Sequence, residues 1–145
     1  MGWLVAILAI LVTVLIGWQI FSAIEISKKI DEIRQAKDEI NSNQSILSCS
    51  VYGAMADFHY TRKEELSQYL RYSLLTIVHA SNINDIDLCN STVKMIIEVC
   101  DLKTAELRKF DKELILGLIP KVKHTEKIKD FCTLITMVSK INEIK

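Results

Sequence analysis

The sequence predicts an all-α chain: a single N-terminal transmembrane helix that continues into an amphipathic juxtamembrane helix, then a small helical bundle. Three observations carry this expectation. Residues 2–24 contain no charged side chain. The apolar residues that follow recur at spacings of three and four, the period of a helix face. Only four glycines and one proline interrupt 145 residues, so strand-and-turn folds and glycine-rich phosphate loops are both poorly supplied. At about 100 to 200 residues per domain there is room for one globular unit beside the apolar block. The expected division is 1–24 for the anchor, 25–44 for the juxtamembrane or stalk helix and 45–145 for a cytosolic bundle.

The apolar block would measure about 34 Å as a helix, against a hydrocarbon core of about 30 Å. Of its 23 residues, 13 are Leu, Ile, Val or Phe, which together favour insertion by about 4 to 8 kcal/mol. Trp3 and Trp18 stand near its ends, where indole rings suit the headgroup boundaries. A cleavable signal is disfavoured: no Lys or Arg precedes the run, the run is too long, and Phe21 stands where a small side chain is needed at the cut. Lys28, Lys29, Arg34 and Lys37 follow closely, so the positive-inside rule places the N-terminus outside and the remainder in the cytoplasm. Lys28 and Lys29, with the two tryptophans, are the expected membrane-interface residues. A cytoplasmic location implies reduced, unpaired cysteines.

Beyond Glu25, Ile26, Ile30, Ile33 and Ile40 form one heptad stripe, interrupted by Lys37. The same register carries Gln44, Leu47, Val51, Ala54 and Phe58 onto that seam. One helix is therefore expected as far as about residue 60, with a weak link at "NSNQS", residues 41–45, because Asn and Ser compete for their own backbone. The seam suits self-association, or packing on the chain's own bundle. Its flanking positions, Lys29, Ala36 and Asn43 on one side and Ser27, Arg34 and Asn41 on the other, lack paired opposite charges. Inside the block, Ala6, Ala9, Thr13 and Gly17 make a small-residue face on which helices can approach closely. Gly17 lies about 180° from Ile26 around the helix, whereas Gln19 falls within about 20° of the isoleucine seam. A straight helix cannot use both faces in one dimer; a ring of more than two subunits can. The candidate oligomer contacts are accordingly Ala9, Thr13, Gly17, Gln19, Ile26, Ile30, Ile33 and Ile40.

Thr61-Arg62-Lys63-Glu64 has the form of a capping box and precedes Leu66, Tyr69, Leu70, Leu74, Ile77 and Val78, a helical stripe. "ASNIND", residues 80–85, is expected to connect it to a third helix that starts near Asp85 and buries Ile86, Cys89, Val93, Ile96, Ile97 and Cys100. Leu107, Phe110, Leu114, Ile115 and Leu118 continue the helical period until Gly117 and Pro120 end it. Ile128, Phe131, Cys132, Ile135, Val138 and Ile141 predict a last amphipathic helix, capped by Thr125.

Chemistry-bearing patterns are sparse. Eighteen basic and eighteen acidic residues cancel, so no nucleic-acid partner is expected. Cysteines 49, 89, 100 and 132 lack zinc-ligand spacing, and the last three fall on apolar stripes as small core residues. No nucleophile setting occurs around the three histidines, so neither a catalytic group, a metal nor a cofactor is expected. One charge excess remains in "KVKHTEKIK", where Lys121, Lys123, Lys127 and Lys129 can meet an anion, assisted by backbone N–H groups. The lipid bilayer and a second copy, or a membrane-complex partner, are the expected partners. The leading expectation is a non-enzymatic membrane-anchored adaptor, scaffold or regulatory subunit. The alternatives are a ligand-gated effector that forms a pore or disrupts the bilayer, and an exported inhibitor or immunity domain with disulfides.

Overall fold

A computed structural model describes residues 2–61, 66–102 and 106–144. The chain is all-α in class, with five α-helices among the described residues. These are α1 (Gly2–Thr61), α2 (Leu66–Asn82), α3 (Ile86–Leu102), α4 (Lys109–Leu116) and α5 (Phe131–Lys140). Two short strands, β1 (Glu106–Arg108) and β2 (Asn142–Ile144), complete the order, and single 3₁₀ turns lie at Ile119–Lys121 and Thr125–Lys127. The chain divides into two compact units, Met1–Asn41 and Ser42–Lys145.

The first unit is helix alone. Its N-terminal window is long and apolar enough to cross a membrane, and none of that window is buried. The Thr13 hydroxyl, the polar group on the small-residue face, donates to the Ala9 carbonyl at 2.8 Å. A hydroxyl satisfied within its own helix needs no partner from its surroundings. At the polar end Lys29 meets Glu25 at 3.6 Å, one turn apart and well exposed, a pair worth about 0.3 to 0.5 kcal/mol.

The second unit is built around α2. Leu70, Leu74 and Ile77 are fully buried, and Tyr69, Val78 and Ala80 join them. The helix is wrapped on nearly every side, so its polar residues are buried too: Ser73, Thr76 and Ser81. Wrapped hydroxyls need partners, because an unsatisfied buried donor costs about 1 to 3 kcal/mol. Thr76 returns its proton to the Tyr72 carbonyl and Ser81 to that of Val78. Against this axis α3 packs Cys89, Val93, Ile96 and Val99, at spacings of four, three and three; α5, packed on α3 and α4, adds Phe131, Leu134 and Val138 to the same core. The connection expected at 80–85 is shorter, because α2 runs on to Asn82 and only residues 83–85 separate it from α3. Asn84 takes a left-handed φ of 57°, and the Asp85 carboxylate accepts the Leu88 N–H at 3.1 Å, capping α3 where its start was expected.

Several expectations need correction. The capping box at Thr61 falls partly on residues 62–65, outside the described residues; Thr61 itself closes α1, its hydroxyl donating to the Phe58 carbonyl. The helical stripe through Leu107 is broken: Leu107 is buried in β1, which pairs in parallel with β2 in the register Glu106 with Asn142 and Arg108 with Ile144. Three residues are too few for alternation to separate from helical spacing, so the strand left no signature. In α4 only Ile115 is buried, while Phe110 is 69% exposed. The last helix starts later than Thr125. His124 and Asp130 both adopt left-handed backbone, at φ 54° and 57°, and neither contributes a side-chain cap. That conformation interrupts a right-handed helix. Asn90 of α3 also accepts the Lys129 N–H at 2.8 Å, drawing the segment away from a helical path. Cys132 is consequently exposed, and Leu134 takes the core position.

Ser81 has a second role. Besides donating to Val78, its oxygen accepts the Lys123 N–H at 3.0 Å, across 42 residues of sequence. Ser81→Ala is expected to lower the stability of the chain by about 1 to 3 kcal/mol, whereas Ser139→Ala, at an exposed site, is expected to change it by less than about 0.5 kcal/mol. Urea titrations followed by circular dichroism on the full chain in detergent check the pair.

Candidate functional site

Four features of the chain have the means to bind something: the apolar face of α1, the lysine-rich segment, an aromatic–imidazole stack and a cleft between helices.

The face of α1 is described unit by unit. In Met1–Asn41, Ile26, Ile30, Ile33 and Ile40 are 46 to 68% exposed; Ala9, Thr13, Gly17, Gln19, Lys28 and Lys29 are exposed, as are Trp3 and Trp18. In Ser42–Lys145, Leu47, Val51 and Phe58 are about half exposed or more, while Cys49 and Ala56 are buried. At 100° per residue, Leu47, Val51, Ala54 and Phe58 cluster in one direction, and Ser45, Cys49, Tyr52, Ala56 and His59 cluster roughly 150° away. The folded unit therefore takes the small and aromatic side of the helix and leaves the heptad stripe uncovered.

Lys121, Lys123, Lys127 and Lys129 are all exposed. Val122 and Ile128 beneath them are buried, which fixes the segment. Six of the nine backbone donors in this segment are already committed. Lys121, Val122, Lys127 and Ile128 bond to carbonyls within the two turns, and Lys123 and Lys129 bond to Ser81 and Asn90. Side-chain charge is the main attraction left for an anion there, partly offset by Glu126, which lies 3.8 Å from His124.

The stack joins the second half of α1 to α2. Tyr52 lies on His79 at 5.4 Å and on Tyr72 at 6.1 Å; Tyr72 in turn lies on His59 at 5.5 Å, the two rings 9° from parallel. Burial holds the His79 imidazole below its ordinary pKa, because an imidazolium there would lose its hydration. The thiols shift the opposite way. Cys49 and Cys89 donate to the consecutive carbonyls of Thr76 and Ile77 on α2. Burial, seconded by the nearby Asp85 carboxylate, pushes the Cys89 thiol up to about 11; Cys100 is pushed up to about 11 by burial and then Asp101. These are inert thiols rather than nucleophiles, and all four cysteines are free. Among the described residues no three His, Cys, Asp or Glu side chains gather as a metal site would require.

The cleft has a volume of about 200 Å³ and lies within the second unit. From α1 it is lined by Gly53, Ala56 and Asp57; from α2 by Tyr69, Ser73 and Thr76; from α3 by Leu88, Ser91, Thr92 and Met95. Each set occupies one helix face at spacings of three and four. Its floor is buried α2, and its rim is exposed Asp57, Ser91 and Met95. It exists because the facing positions are small: a side chain at Gly53 would meet nothing within 4 Å. The sequence reading missed it, since small and hydroxyl residues on three helix faces give no apolar stripe. The spacing of Tyr69, Ser73 and Thr76 was nonetheless there to find.

Compared with protein-family models, curated proteins and solved structures, the chain matches none of them.

Two expectations follow for stability. His79 favours its neutral form in the fold, so its contribution is complete above the ordinary value of 6.5 and is lost as pH falls through the lowered folded value. Cys89 and Cys100 favour the thiol, so theirs is complete below 9.0 and is lost as pH rises through about 11. Denaturant midpoints between pH 5 and 11 are expected to fall on both flanks, with the alkaline fall shallower in Cys89→Ala. Gly53→Ala, in mid-helix with open space around it, is expected to raise stability by about 0.5 to 1 kcal/mol, read from the same titrations.

Proposed function

We propose that this chain is a single-pass membrane protein that self-associates through the heptad face of α1 and presents the second unit at the cytoplasmic surface as an adaptor, scaffold or regulatory subunit. Residues 2–24 cross the bilayer with the N-terminus outside, Trp3 and Trp18 rest at the two headgroup boundaries, and Lys28 and Lys29 meet the inner one. The juxtamembrane stretch is amphipathic, and the second unit is a helical bundle organised on α2.

The observation that carries this reading is what the fold leaves uncovered. Apolar side chains of residues 2–24 are exposed without exception among Leu, Ile, Val, Phe and Trp, and water does not tolerate such a surface. The seam from Ile26 to Phe58 is likewise exposed although the second unit packs the other side of α1. A 3,4 repeat is the pattern that pairs a helix with its like. Anchors inserted in one direction hold the copies parallel. Lys37 and Gln44, on the seam, fit a register-setting role at some cost in stability.

A second reading, a ligand-gated effector whose anchors assemble into a pore, is favoured by one observation. The Ala9, Thr13 and Gly17 face is exposed as well as the Ile26 face, and the two point in opposite directions, so each helix has surfaces for two neighbours.

Carbonate washing of native membranes is expected to leave the chain in the pellet. In a Cys132→Ser background, Ile33→Cys and Ile40→Cys are expected to yield dimers with a short bis-maleimide, while Asp31→Cys, on the far side, yields monomer. Monomer at all three positions would remove the self-association. Bands beyond the dimer would favour the ring, and dye leakage from reconstituted vesicles would then separate an effector from a scaffold.

A further inference from the structure

We infer that the cleft between α1, α2 and α3 is a binding site for a small organic amine, with the ammonium group held by Asp57 and an apolar body lying over Ala56 and between Leu88 and Met95. The inference is independent of the membrane reading.

The chemistry follows from which hydrogen-bonding capacity is left over. Thr76 donates to Tyr72, and Ser91 and Thr92 both donate to the Leu88 carbonyl at 3.0 and 2.8 Å. Their protons are used, so toward the cleft these three hydroxyls present lone pairs. Asp57 adds a carboxylate at the rim, and among the described residues no Lys, Arg or His lines the space. An acceptor-rich wall with one negative charge selects a ligand that donates and carries positive charge. It disfavours an anion, which would face a carboxylate and lone pairs with no cation to offset them.

Tyr69 supplies the second observation. Its side chain is 2% exposed, it lines the cleft, and its hydroxyl faces that of Ser73, also in the lining, without the geometry of a good hydrogen bond. A ligand hydroxyl or amide meeting it there would complete the hydrogen bonding of a buried phenol. Size bounds the occupant: about 200 Å³ admits roughly ten heavy atoms, below the usual range for drug-sized sites. A ligand seated there touches α1 and α3 at once over a floor of α2, so binding ties the C-terminal part of α1 to the rest of its unit.

Tyramine, tyrosol and 4-hydroxyphenylacetate share one ring and differ in the charge at the far end. Calorimetric titration of each into the full chain in nanodiscs is expected to show tyramine binding, tyrosol binding at least about threefold more weakly, and the acetate not binding. Asp57→Asn should weaken tyramine about three- to tenfold and bring it level with tyrosol. Gly53→Leu, which fills the cleft, should abolish binding with helical circular dichroism unchanged. Failure of all three probes at millimolar concentration overturns the inference. So does binding of the acetate as tight as tyramine, or tyramine binding that Gly53→Leu and Asp57→Asn both leave unchanged, which would be uptake into the bilayer.

Discussion

A helix enclosed by its neighbours must satisfy its own polar side chains, and the second unit depends on how α2 does so. Three hydroxyl residues sit buried among Leu70, Leu74 and Ile77. Folding Thr76 and Ser81 back onto carbonyls one turn earlier lets a polar helix occupy the centre without water. Those carbonyls have a second lone pair, and two others on α2 accept the Cys49 and Cys89 thiols. Small hydroxyl residues fill less volume than leucines would. On the side facing α1 and α3 that shortfall becomes the cleft; on the side facing residues 119–129 it gives the Lys123 backbone a place to dock.

The same economy explains the division of labour on α1. Its contact with α2 runs through stacked rings and the Cys49 thiol, with a buried alanine beside them, rather than through a leucine ridge. The larger aliphatic side chains of residues 46–58 are thereby spared. In an ordinary amphipathic helix the apolar stripe faces the core. Here the stripe and the packed face are different sides of one helix, and each kind of neighbour has its own side.

Much of this was legible in the sequence, for definable reasons. The uncharged block and the stripes of α2 and α3 were readable because many residues repeat one period, and Asp85 because a carboxylate before a helix acts locally. What was not legible depended on partners distant in sequence. Leu107 continues a helical period until β2, more than thirty residues later, claims it for a strand. Thr125 precedes an apolar stripe as a cap should, but Asn90 and two left-handed residues set the path instead. Phe110 and Cys132 share stripes with buried residues but are themselves turned out of the core. Of the candidate contacts, the α1 residues are exposed and the lysines share one segment, but most of that segment's backbone donors are spent on the fold. The cleft was illegible because it is made by what is missing, space beside Gly53 and hydroxyls on three faces, and periodicity registers only apolar bulk.

The docking of Lys123 onto Ser81 changes how the lysine segment should be regarded by a protease. Four exposed lysines within nine residues resemble an open trypsin site. Cleavage, however, requires an extended stretch of backbone to thread the enzyme's active site, and here Val122 and Ile128 are buried while Lys123 and Lys129 are bonded to α2 and α3. The segment is accessible in its side chains and closed in its backbone. Scission there therefore has to wait for local opening, which makes the lysines built-in reporters of how often this corner of the fold lets go.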